Sequence, residues 1–234
     1  MSGFLFCSIL GEYFQRATHY TAGIEQRIGD GTRVRFSAFD RQSENFDAFQ
    51  YSSGCPPPTF PGTTSLNKGY SRGLQLVLQR RSANRLSGWI GYTLVFAKQN
   101  SYPNIGTFPA TQYLPSLEDQ RNSLNAFASY RLTPSINLSG KLLYGSGYPV
   151  SVFPNVPRQP PLVQRLPAYA RVDFRVDKSW AFTRWKTTLY GEVLNLTNHN
   201  NVIATGFQSG IPQVAIKTER ALPVVPTAGL VFEF

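Results

Sequence analysis

Proline placement constrains this chain more than any other feature. Proline lacks a backbone N–H and cannot donate to a β-ladder, so it marks what is not the interior of a strand. Of the 17 prolines, 16 fall in four stretches, 48–69, 99–119, 148–167 and 198–226, and only Pro134 stands apart. The segments between these stretches alternate with a period of two, which predicts nine strands at 17–28, 33–47, 70–81, 86–98, 120–132, 136–147, 168–180, 185–197 and 227–234.

The connections alternate in length. Gly29–Thr32, Ser82–Arg85, Thr133–Ser135 and Ala181–Arg184 are tight turns, and the four proline-rich stretches are long loops. Strands of soluble sandwiches average about 5–6 residues. Most of these run to about a dozen, and about 9–11 suffice to cross a bilayer at a tilt. Aromatic residues make up 14% of the chain and charged ones only 15%, a balance that favours strands over helices. No apolar run approaches the roughly 18 residues of a membrane-spanning helix. Short turns at one end and long loops at the other are the arrangement of bacterial outer-membrane barrels.

The two faces of each strand differ in chemistry. In 168–180 the even positions Ala170, Val172, Phe174 and Val176 are oily, and the odd positions Arg171, Asp173, Arg175 and Asp177 are ionic. Leu74, Leu76 and Leu78 share a face in 70–81, and Leu124, Ala126 and Ala128 do so in 120–132. Arg72, Arg80, Lys98 and Lys178 lie on the oily face but within about three residues of an expected strand end, where a long side chain reaches the interface. The net charge of +10 reads as spread over every strand, not gathered into one patch, which disfavours nucleic-acid binding.

Signals for other chemistry are sparse. The start Met1-Ser-Gly-Phe-Leu-Phe-Cys-Ser-Ile-Leu10 has neither the basic flank nor the cleavage site of a signal peptide. Cys7 and Cys55 define no disulfide framework and no zinc spacing. His19 and His199 stand in different hairpins without a nucleophile nearby, so neither a catalytic triad, a metal site nor a cofactor site is expected. Asn137-Leu-Ser139 and Asn195-Leu-Thr197 match a glycosylation pattern but fall in expected strands.

Several short segments, taken in order, resemble the C-terminal β-barrel region of TonB-dependent outer-membrane receptors. They are Arg16-Ala-Thr-His-Tyr20, Gly23-Ile-Glu-Gln-Arg27, Tyr70-Ser-Arg-Gly73, Asp119-Gln-Arg121, Tyr144-Gly-Ser-Gly147, Leu166-Pro-Ala-Tyr169, Arg171-Val-Asp173, Asn195-Leu-Thr-Asn198 and Phe232-Glu-Phe234. The resemblance implies an all-β fold, an antiparallel transmembrane barrel segment of about nine strands within a barrel of about 22. Residues 17–234 then form the C-terminal part of the barrel, and 1–16 an irregular lead-in or the remnant of an upstream strand or loop. It also implies the cell outer membrane, with lipid, the barrel-assembly machinery, missing N-terminal strands and plug, and a TonB complex reached through that missing region as partners. The end of the chain, with Leu230, Phe232 and Phe234 on one face, resembles the signal by which such proteins are recognised for assembly.

Under this reading Leu74, Leu76, Leu78, Val172, Phe174 and Val176 face lipid. Arg121, Arg131, Lys141, Arg171, Asp173, Arg175, Asp177, Lys186 and Glu192 face the lumen, where they line a path, grip a plug or simply solvate the wall. The loop aromatics Tyr51, Phe60, Tyr102, Phe108, Tyr113, Tyr148 and Phe153 are candidates for ligand contact at the mouth. The expected function is receptor-mediated, energised uptake of a scarce ligand of the metal-chelate, carbohydrate or cobalamin class, with the isolated segment unable to transport. Two alternatives stay open. A self-contained small outer-membrane barrel or adhesin requires 17–28, or a strand hidden in 1–16, to pair with 227–234. A soluble β-rich nucleic-acid-binding protein requires clustered aromatics and cations.

Overall fold

The computed structural model describes residues 9–51, 65–100, 113–152, 162–209 and 214–234. Fourteen strands occur among them. They are β1 (Ile9–Ile28), β2 (Thr32–Tyr51), β3 (Ser65–Ala83), β4 (Leu86–Asn100), β5 (Leu114–Pro115), β6 (Asn122–Thr133), β7 (Ile136–Gly145), β8 (Pro149–Val152), β9 (Leu162–Arg165), β10 (Tyr169–Ala181), β11 (Lys186–Leu194), β12 (Val202–Ser209), β13 (Val214–Arg220) and β14 (Val225–Glu233).

Nine of these form one antiparallel sheet in the order β1-β2-β3-β4-β6-β7-β10-β11-β14, the nine strands that the alternation predicts. Each neighbour in space is the next long strand in sequence, as hairpin connections require. Among the described residues no ladder joins β1 to β14, the pairing that a self-contained nine-stranded barrel needs. The remaining strands sit in the long connections: β5 pairs with β4, β8 with β9, and β12 with β13. Those loops are thus partly built of hairpins.

Several boundaries differ from the sequence expectation; β2 and β3 run on to Tyr51 and back to Ser65. β1 begins at Ile9, so part of the expected lead-in continues the first strand, paired to β2 as far as Ile9 opposite Tyr51. β11 stops at Leu194 and not at 197, because Asn195 and Asn198 adopt φ of 51° and 50°. A left-handed residue ends the extended run, and asparagine tolerates that conformation well. Asn195-Leu-Thr197 is consequently a turn, not strand. β14 takes in Pro226, which the ladder accommodates because β14 is the last strand of the sheet and has one unpaired side.

The β3–β4 connection is as tight as a hairpin allows. Ala83 pairs with Leu86, and the two residues between, Asn84 and Arg85, have φ of 54° and 67°. Two left-handed central residues define the turn whose twist matches that of the flanking strands.

Register carries the two-faced pattern across the whole sheet. Ile24 faces Phe36, Phe36 faces Leu76, Leu76 faces Tyr92, and Tyr92 faces Leu124. The row continues through Tyr144 and Ala170, and parallel rows reach Val172, Phe174 and Val176, then Leu189 and Leu230. Side chains paired across an antiparallel ladder point to the same side, so the apolar residues form one continuous surface.

Among the described residues nothing packs on that surface. Ile24 is 74% exposed and Leu230 58%, and Leu74, Leu76, Leu78, Phe174 and Val176 are exposed as well. Among the described residues the buried apolar side chains are Ala97, Pro149 and Val150, and the other buried side chains are polar: Asp119, Asp173, Thr187, Asn195 and Asn201. A sheet without a core behind its oily face is not a stable solution in water; it is one in lipid, where that face is solvated and the ladder satisfies the backbone.

The band has edges. On β3 the apolar face runs between Arg72 and Arg80, about 26 Å along the strand at roughly 3.3 Å per residue, close to the about 25 Å of an outer-membrane apolar band. Beyond Arg72 the same face turns polar, with Arg72–Asp40 at 2.8 Å and Lys68–Glu44 at 3.1 Å. Arg72 therefore does not sit near a strand end as expected, because β2 and β3 extend well past the band; it is held by Asp40 and stacked 4.6 Å over Tyr70.

Candidate ligand-contact site and the polar face

The opposite face is ionic, and on β10 its charges find each other within one strand. On β10, Arg171 Nε donates to Asp173 at 2.7 Å and Arg175 Nη2 to Asp177 at 2.7 Å. Residues two apart share a face of a strand, which is what brings these pairs together. Lys141 stands opposite Asp173 and Glu192 opposite Arg175 in the ladder, so six of the expected lumen residues form one patch across β7, β10 and β11. Arg175 also lies 4.0 Å over the Tyr190 ring.

The other three are not part of it. Arg131 and Lys186 lie at the short-turn end, Lys186 bonded to Glu233 at 2.6 Å. Arg121 precedes β6 at the long-loop end, with its guanidinium 4.3 Å over Phe96.

At that long-loop end two buried polar latches tie the loops to the sheet. In the first, Asp119 is fully buried and accepts from the Ala97 N–H at 3.1 Å and from Arg121 Nη2 at 2.9 Å. Arg165, at the end of β9, also donates to the Asp119 carboxylate, and its Nη1 reaches the carbonyls of Asp119 at 2.7 Å and Gly147 at 3.0 Å. Burial pushes the Asp119 carboxyl upward, but hydrogen bonds from Arg121, Ala97 and Arg165 outweigh it and hold the carboxyl below its ordinary value.

In the second latch, the Asn195 N–H donates to Asp173 Oδ1 at 2.9 Å, and Asn195 Nδ2 donates to the carbonyls of Leu222 at 2.8 Å and His199 at 3.1 Å. Asn201 closes a pair of 2.8 Å bonds with the N–H and carbonyl of Ala170. The amide side chain thus takes the place of a neighbouring strand for one residue.

Between the latches lies a cavity of about 530 Å³, within the range of about 300–1,000 Å³ of small-ligand sites. Ser123, Asn125 and Tyr169 supply its wall from the polar face, Tyr148 and Leu166 from the loop stems, and Ile203 from the β12–β13 hairpin. Gly147 permits the two stems to meet: a Cβ there would lie 1.6 Å from the Leu166 carbonyl oxygen. Of the two loop aromatics whose side chains are described, Tyr148 lines this cavity and Tyr113 packs on Tyr70 at 5.7 Å between ring centres. Phe60, Tyr102, Phe108 and Phe153 lie outside the described residues, as do Cys7, Cys55 and the side chain of Tyr51.

Arg165, Asn201, Ser123, Asn125 and Tyr169 were not singled out by sequence. The signal for Asn201 was present in Asn198-His-Asn-Asn201, a run suited to turns and to side-chain bonds with backbone. Arg165 gave none. The His199 ring Nε2 lies 3.4 Å from the Ala168 carbonyl, and among the described residues no three potential ligands gather into a metal site.

A nine-strand antiparallel sheet with a bare apolar band on one side, ion pairs on the other and loops latched at one rim defines the wall of an outer-membrane β-barrel. The family model described as TonB dependent receptor-like, beta-barrel, matches residues 15–196, and the chain belongs to that family, a family of outer-membrane receptors. No curated protein and no solved structure gives a significant match.

Proposed function

We propose that residues 17–234 form the C-terminal part of a receptor barrel, in a protein that takes up a scarce ligand with energy drawn through a TonB complex. The apolar face, including Leu74, Leu76, Leu78, Val172, Phe174 and Val176, meets lipid. The patch of Lys141, Arg171, Asp173, Arg175, Asp177 and Glu192 faces the water of the lumen, with Arg131 and Lys186 below it and Arg121 at the loop rim. Leu230 and Phe232 present the same apolar face at the end of β14, where with Phe234 they serve recognition by the assembly machinery.

The observation that carries this reading is the unbroken apolar surface from Ile24 to Leu230 with no core behind it. Open ladder edges in lipid cost several kcal/mol per unsatisfied group, so β1 and β14 call for further strands, and the lumen of the completed wall for a plug. The nine strands alone do not transport. The cavity between the latches is the site at which the ligand, a metal chelate, carbohydrate or cobalamin, touches this part of the wall. Its described lining is aromatic, apolar and uncharged polar.

Cysteine labelling tests the orientation. With Cys7 and Cys55 replaced by serine, Arg175→Cys in outer membranes is expected to react with a membrane-impermeant maleimide, and Val176→Cys to resist it. The reverse pattern, or equal labelling, refutes the assignment.

A further inference from the structure

The charge of this protein is not spread evenly once the strands are placed. Within four residues of the four short turns, together with the end of β14 that meets them, lie ten cations and three acids, against a whole-chain excess of +10. Arg33 is held by Glu25 at 3.1 Å, Lys178 by Ser135 at 2.7 Å and Lys186 by Glu233. Arg27, Arg80, Arg81, Arg85, Arg131 and Arg184 are exposed, and among the described residues none of them forms an ion pair.

One of these arginines, Arg80, lines a notch in the apolar face, and Arg85 stands in the adjoining turn. Gly88 of β4 lies between Arg80 of β3 and Ala128 of β6 in the ladder, so a row of the apolar surface has almost no side chain at its centre. The result is a groove of about 190 Å³ lined by Leu78, Leu86, Ile90 and Ala128, with Arg80 on its wall and Arg85 in the turn beyond its short-turn end. Glycine is required there, since a Cβ would lie 2.3 Å from the Phe127 carbonyl oxygen. A stacked aromatic pair marks the same rim in the turn between β10 and β11, Phe182 on Trp185 at 4.0 Å, beside Arg184. Aromatic rings and cations together are the signature of the headgroup level.

We infer that the Gly88 groove is a seat for an anionic phospholipid, its acyl chain along Leu78, Leu86, Ile90 and Ala128 and its phosphate on Arg80 and Arg85. The surrounding unpaired arginines extend the same preference around the short-turn rim. This rests on the reading that the apolar face meets lipid. Charge complementarity selects the occupant: a zwitterionic lipid fills the groove equally well but leaves the excess cations uncompensated. An attractive surface potential strengthens binding by about fivefold per lysine or arginine close to it.

The test is to fold the full chain from denaturant into vesicles of phosphatidylcholine alone and of phosphatidylcholine with phosphatidylglycerol added. Insertion is read by protection from trypsin, and the membrane-bound fraction by flotation. The expected result is insertion into both, with tighter binding to the anionic vesicles, a preference that falls as salt is raised. Arg80→Gln with Arg85→Gln is expected to weaken that preference by about 25-fold at low salt, Ala128→Leu to weaken binding to both vesicles by filling the groove, and Arg35→Gln on the polar face to leave the preference unchanged. Equal binding to the two vesicles, or a preference undiminished by loss of Arg80 and Arg85, overturns the seat while leaving the membrane reading intact. Such equality is also what an acidic protein partner at this rim predicts. Failure to insert into either vesicle overturns the membrane reading and the seat with it.

Discussion

Arg165 reaches back 46 residues along the chain to grip Asp119, bonding both its carboxylate and its backbone carbonyl. It thereby fastens the end of β9, in one long loop, to the stem of another. Arg121 completes the cluster from the start of β6, and the carboxylate is fully buried. Removing the acid leaves two part-exposed guanidiniums and the Ala97 N–H without their partner. Asp119→Ala is expected to destabilise the loop end by about 1–3 kcal/mol, read from urea unfolding of the vesicle-inserted chain; a change under about 0.5 kcal/mol shows that the latch is dispensable.

The same carboxylate sets a pH dependence. Its folded value lies below the ordinary 3.8, so the stability it contributes is present above 3.8 and is lost as the pH falls through the folded value. Protection of the 113–121 and 162–169 segments from protease is therefore expected to hold from neutral pH down to about 4 and to fail only below it. In Asp119→Asn that acid step disappears.

Asn201 replaces a strand for one residue, giving and taking a bond with Ala170. Asn201→Leu keeps the size but leaves the Ala170 N–H and carbonyl unpaired at a nearly buried site. A cost of about 1–3 kcal/mol is expected, with the Ala170 amide exchanging faster in hydrogen-exchange measurements. Unchanged exchange at Ala170 argues that water replaces the amide without loss.

On the apolar face, Phe174 and Val176 lie near the middle of β10. Val176→Arg places a charge near the bilayer midplane and is expected to cost about 2–4 kcal/mol of folding free energy in vesicles. Arg175→Ala, one residue away on the other face, breaks only a part-buried pair and is expected to cost about 1 kcal/mol or less. Equal costs for the two contradict the assignment of faces.

Gly147→Ala puts a methyl group against the Leu166 carbonyl, and the two loop stems must part. A loss of about 1–3 kcal/mol is expected from the forced shift, with the cavity beside Tyr148 altered while insertion into vesicles is retained. A melting midpoint unchanged from wild type speaks against the close approach of the two stems.

The sequence by itself determined the nine long strands and the alternation of oily and polar faces along them. Both follow from local rules: proline bars the ladder, and a period of two fixes the face, so Val172, Phe174 and Val176 part from Arg171, Asp173 and Arg175 before any neighbour is known. The ion pairs of β10 were legible for the same reason, being two residues apart. Tertiary structure alone decided the rest. Register chose which row of each strand lies level with which, and so gathered Arg80, Arg85 and Arg184, distant in sequence and apparently scattered, at one rim. It set Gly88 between Arg80 and Ala128 and opened the groove. The latches were hidden because their bonds span the chain: nothing near Arg165 announces Asp119, and Asn195 reads as strand until its left-handed backbone ends β11. Long-range polar contacts have no period to betray them, whereas the partition between oil and water is written at every second residue.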